Sequence, residues 1–135
     1  MYSDSAQVKI RISGDEMLNH LDRSDPFQEF TKGVFVEFFG PQQTVSSTLS
    51  ARYAVRYERE GEVIVRDSVV WISTDGQMLE TEELIWDEQA RQIYTHKFAR
   101  ITTPNRIIYG HGFRANQDFS HARILEVDGI VPVEP

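Results

Sequence analysis

Apolar residues recur with a period of two along most of this chain. The stretch Leu79–Thr95 (LETEELIWDEQARQIYT) carries the pattern most fully. Leu79, Thr81, Leu84 and Trp86 fall on one face. A polar run from Asp87 to Gln92 follows, and Ile93 and Thr95 return to the same face. This reads as a strand, a hairpin loop and a returning strand. The step from Thr81 to Leu84 is odd, so strict alternation breaks there. A β-bulge absorbs one extra residue and keeps both halves facing inward.

The chain repeats this unit. Thr81, Leu84, Trp86 and Ile93 stand at offsets 0, +3, +5 and +12. Thirty residues earlier the same offsets give Ala51, Ala54, Arg56 and Val63; 29 residues later they give Gly110, Phe113, Ala115 and Ala122. The first position is small in all three copies, and the second and fourth are apolar. Offset +18 gives Val69, Ala99 and Asp128, so the third copy decays at its end. Evenly spaced strands in any meander could align by chance. A period near 30 with two strands per unit is nonetheless the pattern of a repeat in which each unit covers the last.

Elsewhere the pattern predicts strands over Val8–Ser13, Val34–Phe39, Thr48–Arg56, Glu62–Arg66, Asp67–Ile72, Lys97–Thr102, Arg106–Tyr109, Gly110–Asn116 and His121–Val127. Gly129–Pro132 closes the chain. Met17–Arg23 reads as one helical turn or an irregular strand, and Phe27 and Phe30 lead into a turn at Thr31-Lys32-Gly33. Turns fall every 8 to 12 residues, and Asp75-Gly76 is a tight-turn pair. The fold class is therefore all-β. The expected interior is Val63, Val65, Val69, Trp71, Leu84, Trp86, Ile93, Ile101, Ile108, Phe113 and Ile124, with a charged opposite face.

Composition narrows the function. At 135 residues the chain is expected to form a single domain, residues 1–135, with a real core. Its 21 acidic and 14 basic residues give a net charge of −7. That balance argues against nucleic acid as a partner and against adhesion to an anionic membrane surface. Cysteine is absent, which excludes disulfides, thiol catalysis and zinc–thiolate sites. No apolar run approaches the ~20 residues of a membrane-spanning helix.

Candidate chemistry is sparse. There is no phosphate loop, nucleophile elbow or His-x-x-x-His pair. His20, His96, His111 and His121 are scattered, and surface positions account for them better than a metal trio. Glu80, Glu82, Glu83, Asp87 and Glu88 form an acidic cluster, which reads as a solvated strand face rather than a catalytic pair. No catalytic residue, metal or cofactor is expected. Trp71 and Trp86 could be platforms for sugar, but they fall in the inward pattern, as core or lining residues do.

Several short motifs in order carry a resemblance. They are Lys32-Gly33-Val34-x-Val36-Glu37, Ser50-Ala51-x-x-Ala54, Asp67-Ser68-Val69, Leu79-Glu80-Thr81-Glu82-Glu83-Leu84-x-Trp86-Asp87, Ile93-Tyr94-Thr95 and Gly110-x-Gly112-Phe113. Together they resemble the LptC/OstA-like superfamily, and most of all its LptC-type periplasmic component of lipopolysaccharide export. Asp67-Ser68-Val69 departs from the family pattern, where a glycine often stands first.

The resemblance implies an OstA-like twisted, open β-jellyroll of strand-turn-strand repeats. It implies a non-enzymatic periplasmic protein, with an inner-membrane anchor preceding the sequence read here. Lipopolysaccharide acyl chains are expected in an apolar groove lined by Val36, Phe38, Val69, Trp71, Leu84, Trp86, Ile101 and Phe113, with Arg56 and Arg100 at its mouth. The N-terminal edge, with Val8, Ile10 and Ile12, is expected to meet the inner-membrane ABC transporter. The C-terminal edge, with Arg123, Ile124 and Leu125, is expected to meet an LptA-like bridge protein. The alternatives are an all-β carbohydrate-binding or adhesion module using Trp71 and Trp86, and a small β-fold enzyme.

Overall fold

A crease runs across five long strands and divides one antiparallel sheet into two walls. The computed structural model describes residues 9–21, 24–40, 42–116, 119 and 121–132. Among these are eleven strands: β1 (Lys9–Ser13), β2 (Met17–His20), β3 (Phe27–Phe30), β4 (Val34–Phe39), β5 (Val45–Ala51), β6 (Tyr53–Tyr57), β7 (Glu62–Ser73), β8 (Met78–Asp87), β9 (Gln92–Thr102), β10 (Arg106–Asn116) and β11 (Ala122–Pro132).

The main path runs β1-β4-β5-β7-β8-β9-β10-β11, while β6 pairs with both β7 and β3, and β3 pairs with β2. Strand β5 lies on residues 70–73 of β7, whereas β6 lies on residues 62–66. The first wall is thus β1, β4, β5 and one half of each strand from β7 to β11. The second is β2, β3, β6 and the other halves. The apolar core joins inward residues of both, such as Phe38, Leu49 and Leu79 with Val65, Leu84 and Ile93.

The crease is where the sequence repeat lies. Register shifts fall between Arg66 and Val69 in β7, between Thr81 and Ile85 in β8, and between His111 and Phe113 in β10. Along the crease the small and apolar repeat positions are buried: Ala51 and Ala54 about the β5–β6 break, Thr81 and Leu84 in β8, Gly110 and Phe113 in β10. The intervening residues bulge outward, and the strand bends there. Thr81 stitches the line by donating its hydroxyl to the Phe98 carbonyl at 2.7 Å. Thr95 does so by accepting the Lys97 N–H at 3.0 Å. At Gly110 a Cβ would lie 2.0 Å from the Glu126 carbonyl oxygen, so only glycine admits this approach of β11.

Several boundaries differ from the sequence pattern. The predicted strand Thr48–Arg56 is two strands, broken at Arg52 as the chain passes from the first wall to the second. The pairs Glu62–Arg66 with Asp67–Ile72, and Arg106–Tyr109 with Gly110–Asn116, are each one strand bent at the crease. Met17–His20 is a strand, and Phe27–Phe30 is a further strand where none was expected. Each is short and half-exposed, so its alternation is weak.

The outer face is also less charged than expected. Ile72, Met78, Thr102, Ile107 and Val131 occupy successive register positions across the outside of the first wall. Strand pairing, not burial, selects these residues, and β-branched side chains suit the pleat wherever they point. No helix among the described residues is long and apolar enough to cross a membrane.

Candidate functional site

The walls enclose a small cavity lined only by apolar side chains. Ile12, Val36, Phe38 and Leu49 come from the first wall, and Val63, Val65, Leu84, Trp86 and Ile93 from the second. Its volume is about 40 Å³. That is on the order of three water-sized groups, far less than an extended acyl chain occupies. Side chains of the two walls fill most of the space between them.

Of the eight residues expected to line a groove, Val36, Phe38, Leu84 and Trp86 line this cavity. Val69, Trp71 and Phe113 are buried in the surrounding core, and Ile101 packs against it. Ile12, expected at an edge, contributes to the cavity as well.

Phe119 was not singled out by the sequence, since it lies in a polar turn. The structure brings it from the loop between β10 and β11 into the interior. Its ring stacks on Trp71 with centroids 4.3 Å apart and planes at 19°. It meets Phe38 edge-on at 5.7 Å, and Phe113 at 6.4 Å. Phe38 thus touches both Phe119 and the cavity. The backbone of Phe119 is left-handed, with φ 60°. A bulky residue adopts that conformation at a cost, which burial of its ring offsets.

Both indole N–H groups are buried without an acceptor, at Trp71 and at Trp86. With one face of Trp71 against Phe119 and the residue buried, it offers no platform to a sugar. Trp86 is half-buried against the core.

The charged candidates are dispersed. Arg56 is half-buried and bonds Glu88 through two nitrogens, at 2.9 and 3.2 Å. That bidentate pairing outweighs the cost of burial and raises the arginine's pKa. Arg100 lies on the outer face and pairs with Glu80 at 2.6 Å, so it does not stand at the mouth of the interior. Glu83 faces Arg66 across β7 and β8, and Asp87 caps the turn after β8 by accepting the Gln89 and Ala90 N–H groups. His20 bonds Glu29 at 2.8 Å, and His111 bonds Asp128 at 3.0 Å. Among the described residues no three His, Asp or Glu side chains gather as a metal site would require.

The edge strands are β1, β2 and β11, each paired on one side only among the described residues. Val8 lies outside the described residues. Ile10 is buried and Ile12 half-buried, both facing inward. On β11, Ile124 is buried, while Arg123 and Leu125 are exposed. Val127 and Ile130, opposite Gly110 and Ile108, are about half exposed, at 51% and 54%. The inner face of the sheet is therefore uncovered along this edge.

Comparison with known proteins agrees with this architecture. No curated protein sequence matches the chain. Among solved structures it resembles one described as the crystal structure of LptH, "the LptA homologous periplasmic component of the conserved lipopolysaccharide transport device from Pseudomonas aeruginosa". The TM-score is 0.62 at 11% identity, covering 96% of this chain and 97% of that one. The likeness is one of fold, the open β-jellyroll. The profile of the family described as "Lipopolysaccharide-assembly, LptC-related" matches residues 1–131, and with that match the chain belongs to the LptC-related family of lipopolysaccharide-assembly proteins.

Proposed function

We propose that this protein is a non-enzymatic, periplasmic component of lipopolysaccharide export that takes the lipid's acyl chains between its two walls. The carrying observation is the cavity lined only by apolar side chains from both walls. Burial of each methylene gains roughly 0.8 kcal/mol, so a few carbons compensate for separating the walls locally. The crease leaves the walls joined while their far ends part. Lipid arrives from the inner-membrane ABC transporter, which docks on β1. It leaves to an LptA-like bridge protein, which adds a strand to β11. The half-exposed Val127 and Ile130 would then face the partner's interior and continue the apolar path.

Photo-crosslinking tests the reading. A photoreactive residue at Trp86 or Leu84 should capture lipopolysaccharide, and one at Phe98 on the outer face should not. Equal capture at Phe98, or none at the interior positions, would remove the support for an interior path.

A further inference from the structure

We propose that Arg114 and Arg123 form a phosphate-binding site at the rim of the second wall, for the phosphorylated headgroup of a glycolipid. The choice of glycolipid rests on the function proposed above; the site itself rests on the following geometry. Arg114 of β10 and Arg123 of β11 are direct register partners. Side chains so placed leave the sheet about 5 Å apart, and like charges there repel. Both residues are exposed.

Neither arginine makes an ion pair among the described residues. Arg114 donates to the Gln92 side-chain oxygen at 2.5 Å and lies over the Tyr94 ring at 5.7 Å. Arg11, Arg56 and Arg100 each face a glutamate instead. Across β8 to β11 the register row through the pair reads Ile85, Tyr94, Arg114, Arg123, and these four strands place no carboxylate in it. In the next row Asp87 is engaged by its own turn. In a chain of net charge −7, two facing arginines without a counter-ion among the described residues mark a place kept for an external anion. Guanidinium forks match phosphate oxygens bidentately, and one phosphate between them cancels their repulsion.

The pair borders a hollow of about 610 Å³, shared with Gln92, Ala115, Asn116 and His121. Ala122 completes the lining. Ala115 and Ala122 belong to the inward face and the arginines to the outward one. The hollow therefore lies at the rim between the interior and the outside. An amphiphile with its chains between the walls would carry its head here.

The test compares binding of lipopolysaccharide with binding of the same lipopolysaccharide after phosphatase treatment. The wild type should prefer the phosphorylated form roughly tenfold. R114Q/R123Q should lose that preference, keep the wild-type affinity for the treated lipid, and melt no lower than the wild type, since repulsion is removed. R100Q should keep the preference. An intact preference in the double variant, or equal loss on both lipids, would overturn the proposal.

Inorganic phosphate provides the second arm. It should shift the Nε–H resonances of Arg114 and Arg123 in preference to those of Arg100. If it does so while neither lipid binds, the phosphate site stands and the lipid-carrying reading fails. Absence of both the shifts and the lipid preference would dismiss the site.

Discussion

Phe119 lies stacked on Trp71, ring centroids 4.3 Å apart, and so ties the β10–β11 loop of the second wall to the interior of the first. Its ring also meets Phe38 of the first wall and Phe113 of the second, so it bridges the two. Phe119→Ala should cost about 3–5 kcal/mol, as for a buried phenylalanine, because alanine keeps the Cβ and the left-handed backbone is not relieved. The variant should also bind an apolar fluorophore more strongly. An unchanged urea midpoint with unchanged fluorophore binding would show that Phe119 is no latch.

Leu84 and Trp86 line the same cavity but should respond differently. Leu84 is 2% exposed, so Leu84→Asp places an unpaired charge in the core and should cost several kcal/mol. Trp86 carries a buried N–H with no acceptor. Trp86→Phe removes that donor while keeping an aromatic ring, and should leave the melting temperature within a few degrees of the wild type. A large loss on Trp86→Phe would mean that the N–H has a partner in solution.

Asp67 and Ser68 sit at φ 70° and 56° where β7 crosses the crease. Their left-handed turn keeps Val65 and Val69 facing inward. Aspartate tolerates this conformation better than most residues, but glycine adopts it freely. Asp67→Gly should therefore stabilise the fold, by roughly 0.5 kcal/mol after the greater entropy of the unfolded glycine is counted. Chemical denaturation measures this, and a clear loss would show that the aspartate side chain contributes more than its backbone costs.

Strand position sets the response to proline. Ile124 lies on β11, which among the described residues pairs with β10 alone, whereas Ile93 on β9 is paired with both Trp86 and Ala115. Ile124→Pro should reduce stability less than Ile93→Pro and should abolish capture of the bridge protein in a pull-down. Undiminished capture would place the docking surface elsewhere.

Tyr53 provides a pH signature on the outside of the second wall. Its hydroxyl donates to Glu29 at 2.5 Å, and His20 approaches the other oxygen of that carboxylate. Burial, then the hydrogen bond to Glu29, pushes the phenol up to about 12. The bonds from Tyr53 and then His20 lower the Glu29 pKa. The unfolded tyrosine ionises first, near 10, so stability from this group is full below that pH and falls as pH rises toward 12. Tyrosinate absorbance should show one late-titrating group, absent from Tyr53→Phe. Its persistence in that variant would reassign the late titration to another tyrosine.

Period-two alternation, dense turn residues and the small-x-x-apolar repeat determined an all-β chain with bulged strands, because these depend on neighbours a few residues apart. Thr81 to Leu84 announced the crease for that reason, and four of the eight expected lining residues meet at the cavity. Tertiary structure decided the rest. Arg52 is where one apparent strand changes walls, which local pattern does not encode. Phe119 sits in a polar turn, and its burial depends on Phe38 and Trp71, 81 and 48 positions away. Arg114 and Arg123 are unremarkable nine residues apart in sequence; only the β10–β11 register sets them face to face. Local chemistry fixes which way a side chain points, but pairing across the fold decides what it meets.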